Sequence, residues 1–108
     1  MPVLDQVIQS QDEFMANRIY SLLSSPWKVY LILYMGNHTL RFGELKRAVP
    51  KISHVTLTKY LNEMERDGLL VRVRFPDPPL RTEYSLSTLG LEALSILSLL
   101  ADWGKASE

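Results

Sequence analysis

Ser53 to Gly68 reads SHVTLTKYLNEMERDG, and the fold turns on what that stretch is. Ser53 is a good N-cap, Thr56, Leu57, Leu61 and Met64 recur at helical spacing, and Gly68 supplies a left-handed stop. The spacing predicts a capped, one-sided helix. Its outward positions, Ser53, His54, Val55, Thr58, Lys59 and Asn62, carry the hydrogen-bonding, methyl and cationic groups that meet base edges and phosphates in a major groove. A solvated amphipathic helix has the same pattern, so the flanking segments decide between the two.

Upstream, Glu44 to Val49 predicts a short helix stopped by Pro50, because proline disfavours helical backbone in the residue before it. Lys51 and Ile52 then turn directly into Ser53. A short helix, a tight turn and a longer capped helix spell helix-turn-helix, with the second helix as the reader. Downstream, LLVRVRF places Leu69, Val71, Val73 and Phe75 in alternation with Leu70, Arg72 and Arg74. PDPPLR follows as a stiff loop and TEYSLS as a second strand. Such a hairpin directly after the reader is a wing. Arg72, Arg74 and Arg81 on or beside it can reach phosphates or the minor groove, or form a solvated ladder that guards an edge strand.

Further out, Leu4 to Leu23 is a loose helical pattern, broken near its middle. Ser25 can cap a new helix with Pro26 in its first turn. Trp27 to Met35 is apolar on nearly every side, which predicts a buried core helix ending at Gly36, with Trp27 as a packing residue. Asn37 to Thr39 is its exit, with His38 solvated, and Leu40 to Phe42 is a short extended piece. His54, in the first turn of the reader, can contact DNA or face solvent. Ser87 caps a final helix from Thr88 to about Gly104, whose apolar residues at ~100° each span roughly 220° of arc. A small monomer needs about half that width. The surplus predicts a second copy of the chain, with Leu91, Leu94, Leu97 and Ala101 and, from the N-terminal helix, Ile8 and Met15 as the contacts; the alternative is that the N-terminal helix of the same chain covers it, and the two are compatible. The expected fold is mainly α with a small β-hairpin wing. It is a single winged helix-turn-helix domain over residues 1–108, with dimerisation helices at 1–24 and 88–108.

Composition narrows the function. The chain has 108 residues, 46% hydrophobic and 22% charged, with no cysteine and two histidines. Disulfides, thiol sensing and cysteine–zinc sites are excluded, and no metal or cofactor is expected. No run of 18 apolar residues and no charged-then-apolar leader is present, which predicts a cytoplasmic protein away from membranes. Net charge is zero, yet Arg41 to Arg81 carries nine basic and five acidic residues, an excess of +4. Basic charge is concentrated where the reader and wing are expected. No glycine-rich phosphate loop and no serine–histidine–acid order in a recognisable context is found, so an enzyme is not expected.

These residues resemble a known family. Trp27 with its aliphatic helix, Arg41-Phe42-Gly43-Glu44-Leu45-Lys46-Arg47-Ala48-Val49-Pro50, Ile52-Ser53, Leu57-Thr58, Leu61, Glu65, Asp67-Gly68-Leu69, the proline-rich turn to Leu80, Arg81, Glu83-Tyr84-Ser85-Leu86, Gly90 and Ala101-Asp102-Trp103 are similar to the HxlR-type winged helix-turn-helix regulators. The likeness runs from about residue 20 to 105. It implies a dimeric regulator that binds palindromic double-stranded DNA, with Arg74 and Arg81 in the wing and the terminal helices forming the dimer. Three departures stand out: the N-terminal cysteine of many members is absent, their Gly-Gly-Lys before the tryptophan is Ser24-Ser25-Pro26, and Val55 and Tyr60 stand where polar or basic residues are usual. On this reading, alanine at Lys59 and Arg81 weakens binding to all sequences and flattens its salt dependence. The alternative is a winged-helix module that docks other proteins. A small effector between Trp27, Tyr30, Tyr34 and the dimer helices is conceivable, although the same residues fill an ordinary core.

Overall fold

The structure is a computed structural model that describes residues 24–106 together with Asn17, Tyr20 and Leu22. The helix expected over residues 4–23, with Ile8 and Met15, lies outside the described residues apart from those three.

The described chain runs α1 (Pro26–Met35), β1 (Leu40–Arg41), α2 (Phe42–Ala48), α3 (His54–Arg66), β2 (Leu70–Phe75), β3 (Arg81–Leu86) and α4 (Thr88–Ala106). Helix α1 starts at Pro26, whose missing amide costs nothing in a first turn. Ser25 holds the N-cap position, but its side chain makes no capping hydrogen bond. The inward stripe of α1 is Lys28, Leu31, Ile32 and Met35, whereas Tyr30, Leu33 and Tyr34 are exposed. The helix is therefore not buried all round as expected. In so small a domain, only one stripe of a ten-residue helix meets neighbours, and it carries a lysine.

Helix α2 begins one residue past β1, where the Arg41 amide donates to Glu44 Oε1 at 2.9 Å. Phe42, expected to be extended, is thus already helical. The turn to α3 closes with the Ile52 amide on the Val49 carbonyl. Ser53 Oγ then accepts from the Thr56 amide at 3.1 Å and caps α3. At its other end Gly68, with φ of 79°, lets its amide reach the Glu65 carbonyl and the Leu69 amide reach that of Met64. That paired closure ends the helix and aims the chain into β2.

The sheet has three antiparallel strands in the order β1-β3-β2: the extended piece expected from Leu40 joins the hairpin as a short third strand. Leu40 pairs with Tyr84 and Arg41 with Glu83. Two residues are too short for alternation to show in a sequence. In the hairpin, Leu70, Arg72 and Arg74 lie opposite Leu86, Tyr84 and Thr82 on one face; Val71, Val73 and Phe75 lie opposite Ser85, Glu83 and Arg81 on the other. The first face turns inward, burying Leu70, Tyr84 and Leu86, and the two valines are exposed.

Ser87 caps α4 by accepting from the Gly90 amide at 3.0 Å and donates to the Gly68 carbonyl, tying the end of α3 to the start of α4. The core gathers Leu31, Ile32 and Met35 of α1, Leu45, Val49 and Ile52 around α2, Leu57, Leu61 and Met64 of α3, the inner sheet face and Leu97 of α4. Leu97, expected at a dimer contact, is 7% exposed and belongs to the core of its own chain.

Candidate nucleic-acid interface

Helix α3 is pinned from behind. Leu57, Leu61 and Met64 are completely or almost completely buried, while on the opposite side Val55, Lys59, Asn62 and Arg66 are exposed, Val55 to 77%. These four recur at i, i+4, i+7 and i+11, one row along the helix. Lys59 and Arg66 bring positive charge to that row, and Asn62 brings an amide. Arg66, whose nearest carboxylate oxygen is on Asp67 at 3.6 Å, was missed by the sequence reading. Continuing the Val55–Lys59–Asn62 spacing by one turn would have found it.

The remaining residues expected to read DNA serve the helix itself as much as its surface. Ser53 spends its hydroxyl on the cap, accepting from the Thr56 amide and donating to Thr56 Oγ1. Thr58 Oγ1 donates back to the His54 carbonyl at 2.9 Å. The His54 ring lies 4.4 Å from the Phe42 ring, tilted by 45°, so it braces α3 against α2. His54 remains exposed at the helix start, but part of its ring is engaged.

Behind the row, Lys28 of α1 reaches Glu63 of α3 at 2.7 Å, the Lys28 side chain 5% exposed and that of Glu63 25%. The hydrogen bond from Lys28 holds the Glu63 carboxyl below its ordinary value of 4.5, with the charges of Lys28, Lys59 and Arg66 adding to it and desolvation opposing it. This pair fixes α3 to α1 beneath it.

The wing arginines separate into three environments. Arg74 is exposed on the face of the sheet that adjoins α3, with no ion pair among the described residues. Arg81 lies on the opposite face, its guanidinium carbon 4.0 Å from the Phe75 ring centre and its Nε donating to Glu83 Oε2 at 3.0 Å. Its charge is spent inside the wing. Arg72 is turned toward α3, where Nη2 meets Glu65 at 3.1 Å and Nη1 donates to Asn62 Oδ1 at 3.3 Å. The sequence grouped the three together because alternation shows the face of a strand but not the carboxylates waiting on either side.

Helix α4 carries a second exposed surface. Leu89, Ile96, Leu99, Leu100 and Trp103 are exposed, Leu99 and Trp103 to about 70%. Of the expected contacts, Ala101 and Leu91 are exposed, Leu94 is half-buried, and Leu97 faces inward as described. On α1, Trp27 meets Tyr30 edge-on at 6.2 Å and Tyr30 stacks on Tyr34 at 6.4 Å. Trp27 packs against the core while both tyrosines stay exposed, so only the tryptophan fills the role expected of it. No helix among the described residues is long and apolar enough to cross a membrane.

Known proteins share this arrangement. A family model described as HxlR-like helix-turn-helix matches residues 22–108. The HTH-type transcriptional regulator YdzF of Bacillus subtilis (strain 168) is 39% identical over 87 residues, 80% of each chain. Among solved structures, a transcriptional regulator of the MarR family from Enterococcus faecalis V583 aligns with a TM-score of 0.79 at 35% identity, covering 92% of this chain and 90% of that one. The redox regulator HypR in its oxidised form aligns with a TM-score of 0.75 at 30% identity, covering 84% and 94%. The winged helix-turn-helix built around α3 is therefore shared in sequence as well as in shape: the chain belongs to the HxlR-like helix-turn-helix family of transcriptional regulators.

Proposed function

We propose that this protein is a homodimeric, sequence-specific regulator that binds double-stranded DNA in the cytoplasm, acting as one domain over residues 1–108. Helix α3 enters the major groove, and the wing lies on the adjoining backbone. One observation carries the reading. The exposed row Val55–Lys59–Asn62–Arg66 combines methyl, cationic and amide groups on a helix whose other side is locked into the core. Lys59, Arg66 and Arg74 are the phosphate contacts, and Val55 and Asn62, with His54 and Thr58 at the helix start, lie nearest the bases. Arg81 acts only through the shape of the wing. The exposed stripe of α4, flanked by Leu91, Leu94 and Ala101, meets its counterpart in a second copy, so the half-sites form an inverted repeat. HypR is described as a redox regulator, but this chain contains no cysteine and a thiol switch forms no part of the proposal.

The test is selection of random duplexes by the folded protein at about physiological salt. An enriched inverted repeat is expected, and Lys59→Ala should weaken binding to all sequences while lowering the salt slope by about one. If nothing is enriched, the docking-module reading replaces this one.

A further inference from the structure

Besides the exposed row of α3, three features of the fold stand out. A cleft beside Lys28 and Glu63 is lined by an ion pair that already satisfies itself. The exposed stripe of α4 belongs to the dimer already proposed. The third is the contact between the wing and α3, made by Arg72.

Asn62 and Glu65 stand one turn apart on the wing side of α3, and Arg72 on the inner face of β2 reaches both. Its planar guanidinium forks, one nitrogen toward Glu65 Oε1 and the other toward Asn62 Oδ1. Arginine has donors and no acceptor, so the atom that Asn62 offers it must be the carbonyl oxygen. Glu65 holds the guanidinium by charge, which keeps Arg72 from swinging out to a phosphate. The oxygen of Asn62 is thereby turned into the wing, and the amide nitrogen with its two hydrogens is left on the exposed row beside Lys59.

We propose that Arg72 is a positioning residue for sequence selection: by holding Asn62 Oδ1 toward the wing, it presents the amide nitrogen of Asn62 as a donor that selects a keto base, guanine or thymine, over adenine. This rests on the DNA-binding reading above. Asparagine recognises adenine through two bonds, its oxygen accepting from N6 and its nitrogen donating to N7. With the oxygen turned to Arg72 and away from the exposed row, adenine keeps only one of the two bonds, from the amide nitrogen to N7. Guanine offers O6 and N7 as neighbouring acceptors and thymine offers O4, and either suits a free amide nitrogen.

Base preference at each half-site position is measured by duplex selection with the wild type, Arg72→Ala, Arg72→Lys, Asn62→Ala and the double variant Asn62→Ala/Arg72→Lys. Arg72→Lys keeps a cation beside Glu65 but loses the fork, which guards against a wing that fails to form. Thermal unfolding verifies each variant. One position per half-site should prefer a keto base in the wild type. In both Arg72 variants that preference should fall about tenfold, with adenine gaining, as expected when a bidentate pair is restored. Asn62→Ala should erase preference at the same position, and adding Arg72→Lys to it should change nothing more.

Two results overturn the proposal while leaving DNA reading intact. The Arg72 variants could weaken all duplexes equally and flatten the salt slope, making Arg72 a phosphate contact. Asn62→Ala could weaken all duplexes equally with no position changed, placing Asn62 on the backbone. If the folded wild type enriches no duplex at all, the DNA-binding reading fails and carries this proposal with it.

Discussion

Lys28 and Glu63 make the tie between core and reader helix unequal at its two ends. Glu63→Gln leaves an ammonium that is almost wholly out of water, and a buried charge stripped of its partner costs about 3 kcal/mol or more. Lys28→Met leaves a carboxylate that still touches solvent, so about 1–2 kcal/mol is expected. Urea unfolding of the two variants at neutral pH checks the order. The pair also sets a pH dependence. Because folding lowers the Glu63 value, its contribution is complete above about 4.5 and is lost as pH falls through the folded value. The wild type should therefore lose stability on acidification in that range more steeply than Glu63→Gln. Gly90 is a different kind of fixed point: an added Cβ would collide with the Leu69 carbonyl oxygen, which is backbone and cannot swing away. Gly90→Ala should cost about 1–3 kcal/mol, read from the same unfolding curves. The caps at Ser53 and Ser87 were legible in the sequence because their partners are three residues away. Lys28 with Glu63 was not, since the partners are on different helices and a lysine within an apolar run does not announce the side it faces.

At the scale of elements, the wing separates from the reader in how its charge is used. Arg74 and Arg81 look equivalent in sequence, flanking the same proline-rich tip. In the fold they lie on opposite faces of the hairpin, and only Arg81 is stacked on an aromatic ring and paired with an acid. Arg74→Ala should therefore lower the slope of log affinity against log salt by about 0.9, the release associated with one phosphate contact. Arg81→Ala should leave that slope near the wild type while lowering the thermal midpoint of the domain through a loosened wing. Fluorescence anisotropy over a salt series separates the two; equal loss of slope would show that Arg81 leaves Phe75 on binding. The reader helix was legible because its stripe, cap and stop are all local. The valines of β2 were harder: Val71 and Val73 are exposed and Arg72 faces inward, because the polar side of α3 supplies Glu65 and Asn62 as partners. Hydrophobicity alone assigns the faces of such a strand the wrong way round.

In the proposed dimer, the two exposed surfaces depend on one another. In the proposed complex a single α3 contacts only a few base pairs, and joining two through a two-fold axis makes the second binding event intramolecular. Leu89, Ile96, Leu99 and Trp103 stand at i, i+7, i+10 and i+14 along α4, the three-and-four spacing of a helix–helix seam, while Leu97 and Leu94 hold the same helix to its own core. The breadth of the apolar arc was legible from the sequence; how it divides between core and seam was not, because Leu97 and Leu99 differ only in which way the helix is rotated against α1. That division permits a clean test. Leu99→Glu puts a charge in the seam without touching the core side, so the monomer should keep its helical content and lose little thermal stability. Sedimentation equilibrium should show the wild type as a dimer and Leu99→Glu shifted to monomer at micromolar concentration. Affinity for an inverted repeat should fall by at least tenfold, whereas affinity for an isolated half-site should stay within about twofold, since the groups on α3 are unchanged. Leu97→Ala is the counterpart: it should cost about 2–4 kcal/mol of folding stability by opening a cavity, yet leave the seam its full set of side chains. A dimer that survives Leu99→Glu would move the two-fold contact off this face of α4, and the spacing expected between half-sites would change with it.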